Sequence, residues 1–136
     1  MRVMLDTNVL LSALLFPSKR MNKMMQCIFE EHHLVLSSFV VEELIYVVKR
    51  KFPGKLQAVD CLLTSMSFEL AYTPQEIEQG LFEIRDMKDY PVLYTAIRED
   101  VDVLITGDKD FSDVDVERPE ILTPAQFLDR YLGDGA

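Results

Sequence analysis

Five short strand-like runs constrain this chain more than any other feature: Arg2–Leu5, Leu34–Leu36, Phe68–Leu70, Val101–Ile105 and Glu120–Leu122. Between them the apolar residues recur at helical spacing, and no junction carries a hairpin signal. Strands that alternate with helices pair in parallel, because the chain must cross back over the sheet before each new strand. The expectation is an α/β fold: a three-layer α/β/α sandwich around a central, mainly parallel sheet. At 136 residues the chain fits one domain, 1–136, with a core of its own.

The helices are signalled as clearly. Val9-Leu10-Leu11-Ala13-Leu14-Leu15 favours helix from Thr7 to Phe16, and Pro17-Ser18 breaks it. Met21, Met24, Met25, Ile28 and Phe29 mark a second helix to about His32. Ser37-Ser38 offers a cap for a helix from Phe39 to about Lys51, and Pro53-Gly54 punctuates. Leu56, Val59, Leu62, Leu63 and Met66 mark another helix. Thr73-Pro74-Gln75-Glu76 and Thr123-Pro124-Ala125-Gln126 each read as a helix start: a capping Thr, Pro at the first position, and Glu or Gln at the third. Asp89 begins a helix containing Val92, Leu93, Ala96 and Ile97, with Pro91 tolerable in its first turn.

Composition narrows the function classes. Net charge is −9, which argues against holding nucleic acid by bulk electrostatics. The charge is uneven: residues 1–55 carry eight basic and five acidic side chains, whereas 56–136 carry six and eighteen. Lys19, Arg20 and Lys23, then Lys49, Arg50, Lys51 and Lys55, supply the local basic excess. They read as solvated helix faces or as a phosphate-steering rim beside an acidic centre. Cys27 and Cys61 fit no metal or redox spacing and read as buried, reduced thiols. No apolar run approaches the roughly 18 residues of a membrane span, and Asp6 and Asn8 interrupt any signal-peptide pattern. The expected location is cytoplasmic.

In an open α/β sheet, ligands bind beyond the carboxyl ends of the strands. Four acids fall there: Asp6 ends the first strand, Glu43 lies early in the helix after the second, Asp89 begins a helix, and Asp108 follows Val101–Ile105. Asp110 could reach the same region. Each also has a local reading, Asp6 as a helix cap and Asp108 as turn chemistry. If they converge, several carboxylates within about 4–6 Å repel one another and call for a cation or a proton. All-oxygen ligands select Mg²⁺ or Mn²⁺, and such a centre hydrolyses a phosphodiester with activated water. His32 and His33 lie elsewhere, near a helix end.

"VMLDTNVLLSAL" at 3–14, "SSFVVEELIYVVKRKF" at 37–52, "DMKDYPVLYTAI" at 86–97 and "DVLITGDKDF" at 102–111 occur in an order and at separations that resemble a PIN domain. That is the Rossmann-like, metal-dependent ribonuclease fold of VapC-like toxins. The likeness runs from Arg2 to about Leu132 and is nearest to the toxin components of toxin–antitoxin pairs. It implies Mg²⁺ or Mn²⁺ ligation by Asp6, Glu43, Asp89 and Asp108, with Asp110 as a supporting ligand. It implies that Asn8 orients a carboxylate and that Thr106 holds a water or ligand by its hydroxyl. It further implies an RNA substrate, cleavage leaving a 5′-phosphate and a 3′-hydroxyl, a homodimer and an antitoxin protein partner.

Two choices rest on the resemblance or on position. Glu42 and Glu43 both flank the stripe Val40, Leu44, Val47 and Val48, and the family's Glu-Leu pairing selects Glu43. Asp86 competes with Asp89, which is preferred because it begins the helix. Rival readings are a haloacid-dehalogenase-like phosphoryl-transfer enzyme, which needs a second Asp where Asn8 stands, and a receiver-like phosphoacceptor. A third is a PIN scaffold that binds RNA or protein with weak or no catalysis.

Overall fold

The computed structural model describes residues 1–111 and 113–132, so residues 133–136 of the expected domain lie outside the described residues. Five strands, β1 (Arg2–Leu5), β2 (His33–Ser37), β3 (Glu69–Ala71), β4 (Val103–Ile105) and β5 (Glu120–Leu122), form one sheet. Its order is β3-β2-β1-β4-β5, and every pair is parallel. Six α-helices connect and follow them: α1 (Thr7–Leu15), α2 (Lys19–Glu31), α3 (Ser38–Lys51), α4 (Leu56–Ser65), α5 (Tyr90–Arg98) and α6 (Pro124–Tyr131). Val3, Met4 and Leu5, Leu34 to Ser37, and Val103 to Ile105 are all buried whichever way they point. Successive strand residues face opposite sides, so helices must cover both faces, as the three-layer expectation requires.

The strand order decides where a site can form. From β1 the chain builds outward through β2 and β3, then returns past β1 to lay down β4 and β5. The connections therefore part company between β1 and β4, which opens a crevice at their carboxyl ends. Register brings those ends level. Leu5 lies opposite Ile105, and Ile105 opposite Leu122, so Asp6, Thr106 and Thr123 emerge at one edge. The ladder runs one step further, with the Asp6 amide donating to the Ile105 carbonyl (3.1 Å) and the Thr106 amide to the Leu122 carbonyl (2.8 Å).

Helix starts at this edge are capped by the residues that end the strands. Asp6 caps α1 and Ser37 caps α3, accepting from the Val40 amide at 3.1 Å. Thr123 forms the expected reciprocal box with Gln126 at the start of α6. Packing follows the predicted stripes, with Met21, Met24 and Ile28 of α2 and Val40, Leu44 and Val48 of α3 buried. Phe29, expected on the α2 stripe, is exposed, and Cys27 takes the inward place. Cys61 departs from expectation too: it is exposed on α4, while Cys27 is buried, and both are free thiols. His32 ends α2 with its ring edge-on to Phe127 and Tyr131, a packing role.

The helix expected from Thr73 does not form: residues 72–86 hold neither helix nor strand. The Thr73 hydroxyl is used elsewhere. It accepts from the Phe39 amide in the first turn of α3 (3.4 Å) and pairs with the Thr95 hydroxyl of α5 (2.8 Å). Its own amide donates to the Ser38 hydroxyl at 2.9 Å. A cap spent across the fold cannot start a local helix, and Thr73 instead ties the end of β3 to α3 and α5. Thr73→Val keeps the shape and deletes that tie; urea unfolding should show a loss of about 1 kcal/mol with an unchanged m-value.

Candidate metal centre

Asp6 follows β1 directly and is 5% exposed. One carboxylate oxygen accepts from the Val9 amide at 2.9 Å, and the other accepts from the Thr106 hydroxyl. The same Thr106 oxygen accepts from the Asp108 amide at 3.0 Å, and Asp108 in turn accepts from the Asp110 amide at 2.8 Å. This chain of bonds fixes the loop after β4 against the end of β1. Burial pushes the Asp6 carboxyl up from the usual range against the pull of its two donors, and the Asp108 and Glu43 charges add to the rise.

Glu43 comes from α3, one turn and a half beyond the Ser37 cap. It is half-buried, and its carboxylate accepts from the Thr7 hydroxyl at the start of α1. Glu42 is exposed. The adjacent pair is thus distinguished by helix phase: 100° of rotation turns one carboxylate toward the sheet edge and the other to solvent.

Asp86, Asp89 and Asp110 form a second group, each offering a carboxylate oxygen within 4.8 Å of the others. A 3₁₀ turn, Met87–Asp89, leads into α5 and compresses the approach. Asp86 caps that turn by accepting from the Lys88 amide at 3.0 Å. Asp89 begins α5 without a capping bond, and one of its oxygens is buried with no hydrogen-bond partner. Burial, then the close Asp108 carboxylate and the charges of Asp86 and Asp110, push the Asp89 carboxyl up to about 7. Asp110 is raised as well, by partial desolvation and by Asp108 and Asp86. Asp108 links the two groups, since its charge reaches both Asp6 and Asp89.

Asp108 therefore stands between Asp6 and the Asp86–Asp89–Asp110 group, and Glu43 is near enough to Asp6 for its charge to be felt there. Asp86 and Asp89, treated as competitors, stand there together. Asn8 is exposed and lines a cavity with Asp108, while the Val9 amide and Thr106 hydroxyl orient Asp6. Thr106 engages Asp6 and Asp108 within the protein, so its hydroxyl is committed. Thr7, which sequence reasoning passed over, holds Glu43; its signal was a hydroxyl beside the strand-end acid. Two open cavities, about 680 and 540 Å³, share Gly107 and Asp108 and flank the centre.

The fold is a parallel α/β sheet with acidic side chains gathered beyond its strand ends. The chain belongs to the PIN domain family, whose model matches residues 2–110. Its structure is similar to a chain in the crystal structure of VapBC2 from Rickettsia felis bound to a DNA fragment from their promoter. That likeness has 25% sequence identity and a TM-score of 0.68, and covers 90% of this chain and 97% of that one. A search of curated protein sequences finds no match. Among the described residues, no helix is long and apolar enough to cross a membrane.

A raised carboxyl favours folding while protonated. Its contribution is fully present below pH 3.8 and is lost as pH climbs through about 7. In EDTA, Asp89→Asn should therefore gain stability over the parent as pH rises across that window. The gain should reach about 1 kcal/mol, since solvent reaches the cluster and screens it. Saturating Mn²⁺ should reverse the order. Chemical denaturation at several pH values checks this, and a difference independent of pH would contradict it.

Proposed function

We propose that the protein is a Mg²⁺- or Mn²⁺-dependent endoribonuclease, the toxin component of a toxin–antitoxin pair. The observation that supports this reading is the Asp86–Asp89–Asp110 cluster with a buried Asp89 oxygen left unpartnered, and Asp108 close enough to act on both Asp89 and Asp6. The donor set fits the ion: every candidate ligand is a hard carboxylate oxygen, and neither Cys27 nor His32 belongs to the cluster. Asp6, Glu43, Asp89 and Asp108 would hold the metal, with Asp110 supporting; Asp86, at the same place, joins them as a candidate. A divalent ion bound there supplies Lewis-acid charge that activates water and stabilises the leaving oxygen of a phosphodiester.

The chain's own contribution is positional. Val9 and Thr106 hold Asp6 in one orientation, and Thr7 does the same for Glu43. The Asp89 carboxyl, raised to about 7, holds a proton below that pH until a cation displaces it, so activity should climb with pH as ligation outcompetes protonation. RNA as the substrate, with products ending in a 5′-phosphate and a 3′-hydroxyl, is the family's chemistry carried over to these residues. The likeness to a VapBC2 chain supports an antitoxin protein as partner. A homodimer belongs to the same reading.

Asp6→Asn preserves an acceptor for Val9 and removes the charge. It should reduce RNA cleavage by more than about a hundredfold with little change in Tm, and EDTA should do the same to the parent. Single-turnover assays in Mn²⁺ across RNA pools provide the measurement. Full activity in either case would sink the assignment, and metal-dependent RNA binding without cleavage would favour a scaffold.

A further inference from the structure

We propose that the cavity beside Asp108 is a single-stranded RNA subsite in which Phe16 stacks on a base flanking the scissile bond and Arg20 binds the adjoining phosphate. The proposal rests on the nuclease reading above and names how its substrate is gripped. Asp6 caps helix α1, and Asn8, Ser12 and, just past the helix end, Phe16 follow at intervals of four, so one stripe leads away from the acids. Eight residues of helix rise about 12 Å, which places Phe16 beyond the scissile phosphate and beside a neighbouring nucleotide. All three line the cavity, together with Val9, Met21 and Arg20.

Phe16 is the unusual member. It is 55% exposed at the end of α1, although its ring is held edge-to-face to Phe52 at 5.4 Å. A fixed, exposed aromatic beside a phosphodiester centre suits a base, because every base has a face to stack. Arg20 supplies the opposite charge, and among the described residues it makes no ion pair. Lys19 and Arg20 occupy the first turn of α2, where the helix dipole disfavours cations, so helix stability does not account for them. In a chain of net charge −9, a local cation at this position offsets the repulsion an RNA strand would meet.

The test compares the parent with Phe16→Leu, Phe16→Ala and Arg20→Gln, and with Tyr46→Ala as an exposed aromatic outside the cavity. Leucine keeps the contact with Phe52 and removes the stacking face, so a loss in that variant does not reflect misfolding. Affinity is read by anisotropy of a fluorescein-labelled single-stranded oligoribonucleotide in Ca²⁺. Cleavage is read in Mn²⁺ on a randomised RNA pool and on bis(p-nitrophenyl) phosphate, a diester without bases. Both Phe16 variants should bind and cleave RNA about tenfold less well and flatten base preference at one flanking position. Arg20→Gln should weaken all sequences and lower the salt slope by about one. Bis(p-nitrophenyl) phosphate hydrolysis should stay unchanged throughout, as should every property of Tyr46→Ala. Unchanged RNA binding and cleavage in the Phe16 and Arg20 variants would overturn the subsite and leave the groove to a protein segment. If the parent hydrolyses neither substrate, the nuclease reading fails by itself; anisotropy then upholds the subsite if binding falls in the variants and overturns it if binding does not.

Discussion

The buried carboxylate of Asp6 joins the parts on which the rest of the site depends. One oxygen closes the first turn of α1 through Val9, and the other takes the Thr106 hydroxyl from the far side of the crevice. Thr106 then receives the Asp108 amide, and Asp108 receives that of Asp110. Together these bonds lock β1, α1 and the loop after β4 into one geometry. Two donors lower the cost of burying Asp6, yet desolvation still raises its carboxyl.

That cost extends to the neighbours. Five carboxylates at one sheet edge, with Asp86 beside them, are an arrangement that folding alone would not favour. Asp89 shows it most plainly, with a carboxyl raised to about 7 and an oxygen lacking any hydrogen-bond partner. A structural network would satisfy such a group. On the proposed reading, a divalent cation would take that open position and return as binding energy what the fold gave up in repulsion.

Much of this was legible along the chain. Apolar runs ending in Asp6 and in Thr106-Gly107-Asp108 announced strand ends, and parallel topology placed strand ends at one edge. Other readings failed for reasons beyond local pattern. Thr73-Pro74-Gln75-Glu76 has the same signature as Thr123-Pro124-Ala125-Gln126, yet only the second starts a helix. The Thr73 hydroxyl is drawn to Phe39 and Thr95, partners more than twenty residues away. Asp86 and Asp89 looked like alternatives because one position was expected; the 3₁₀ turn between them lets both reach Asp110.

The sequence by itself determined the alternation of strands and helices, the caps that end them, and hence which acids arrive at the carboxyl edge. Those are consequences of periodicity and local hydrogen bonding, readable within a few residues. Only the tertiary structure decided that Glu43 and not Glu42 turns inward under Thr7, that Thr106 is committed to Asp6, and that Asp86 joins the cluster. Each of those depends on a partner from a distant part of the chain, and on the level register that brings Leu5 beside Ile105. Distance through space, which sequence spacing does not encode, set the chemistry of the centre.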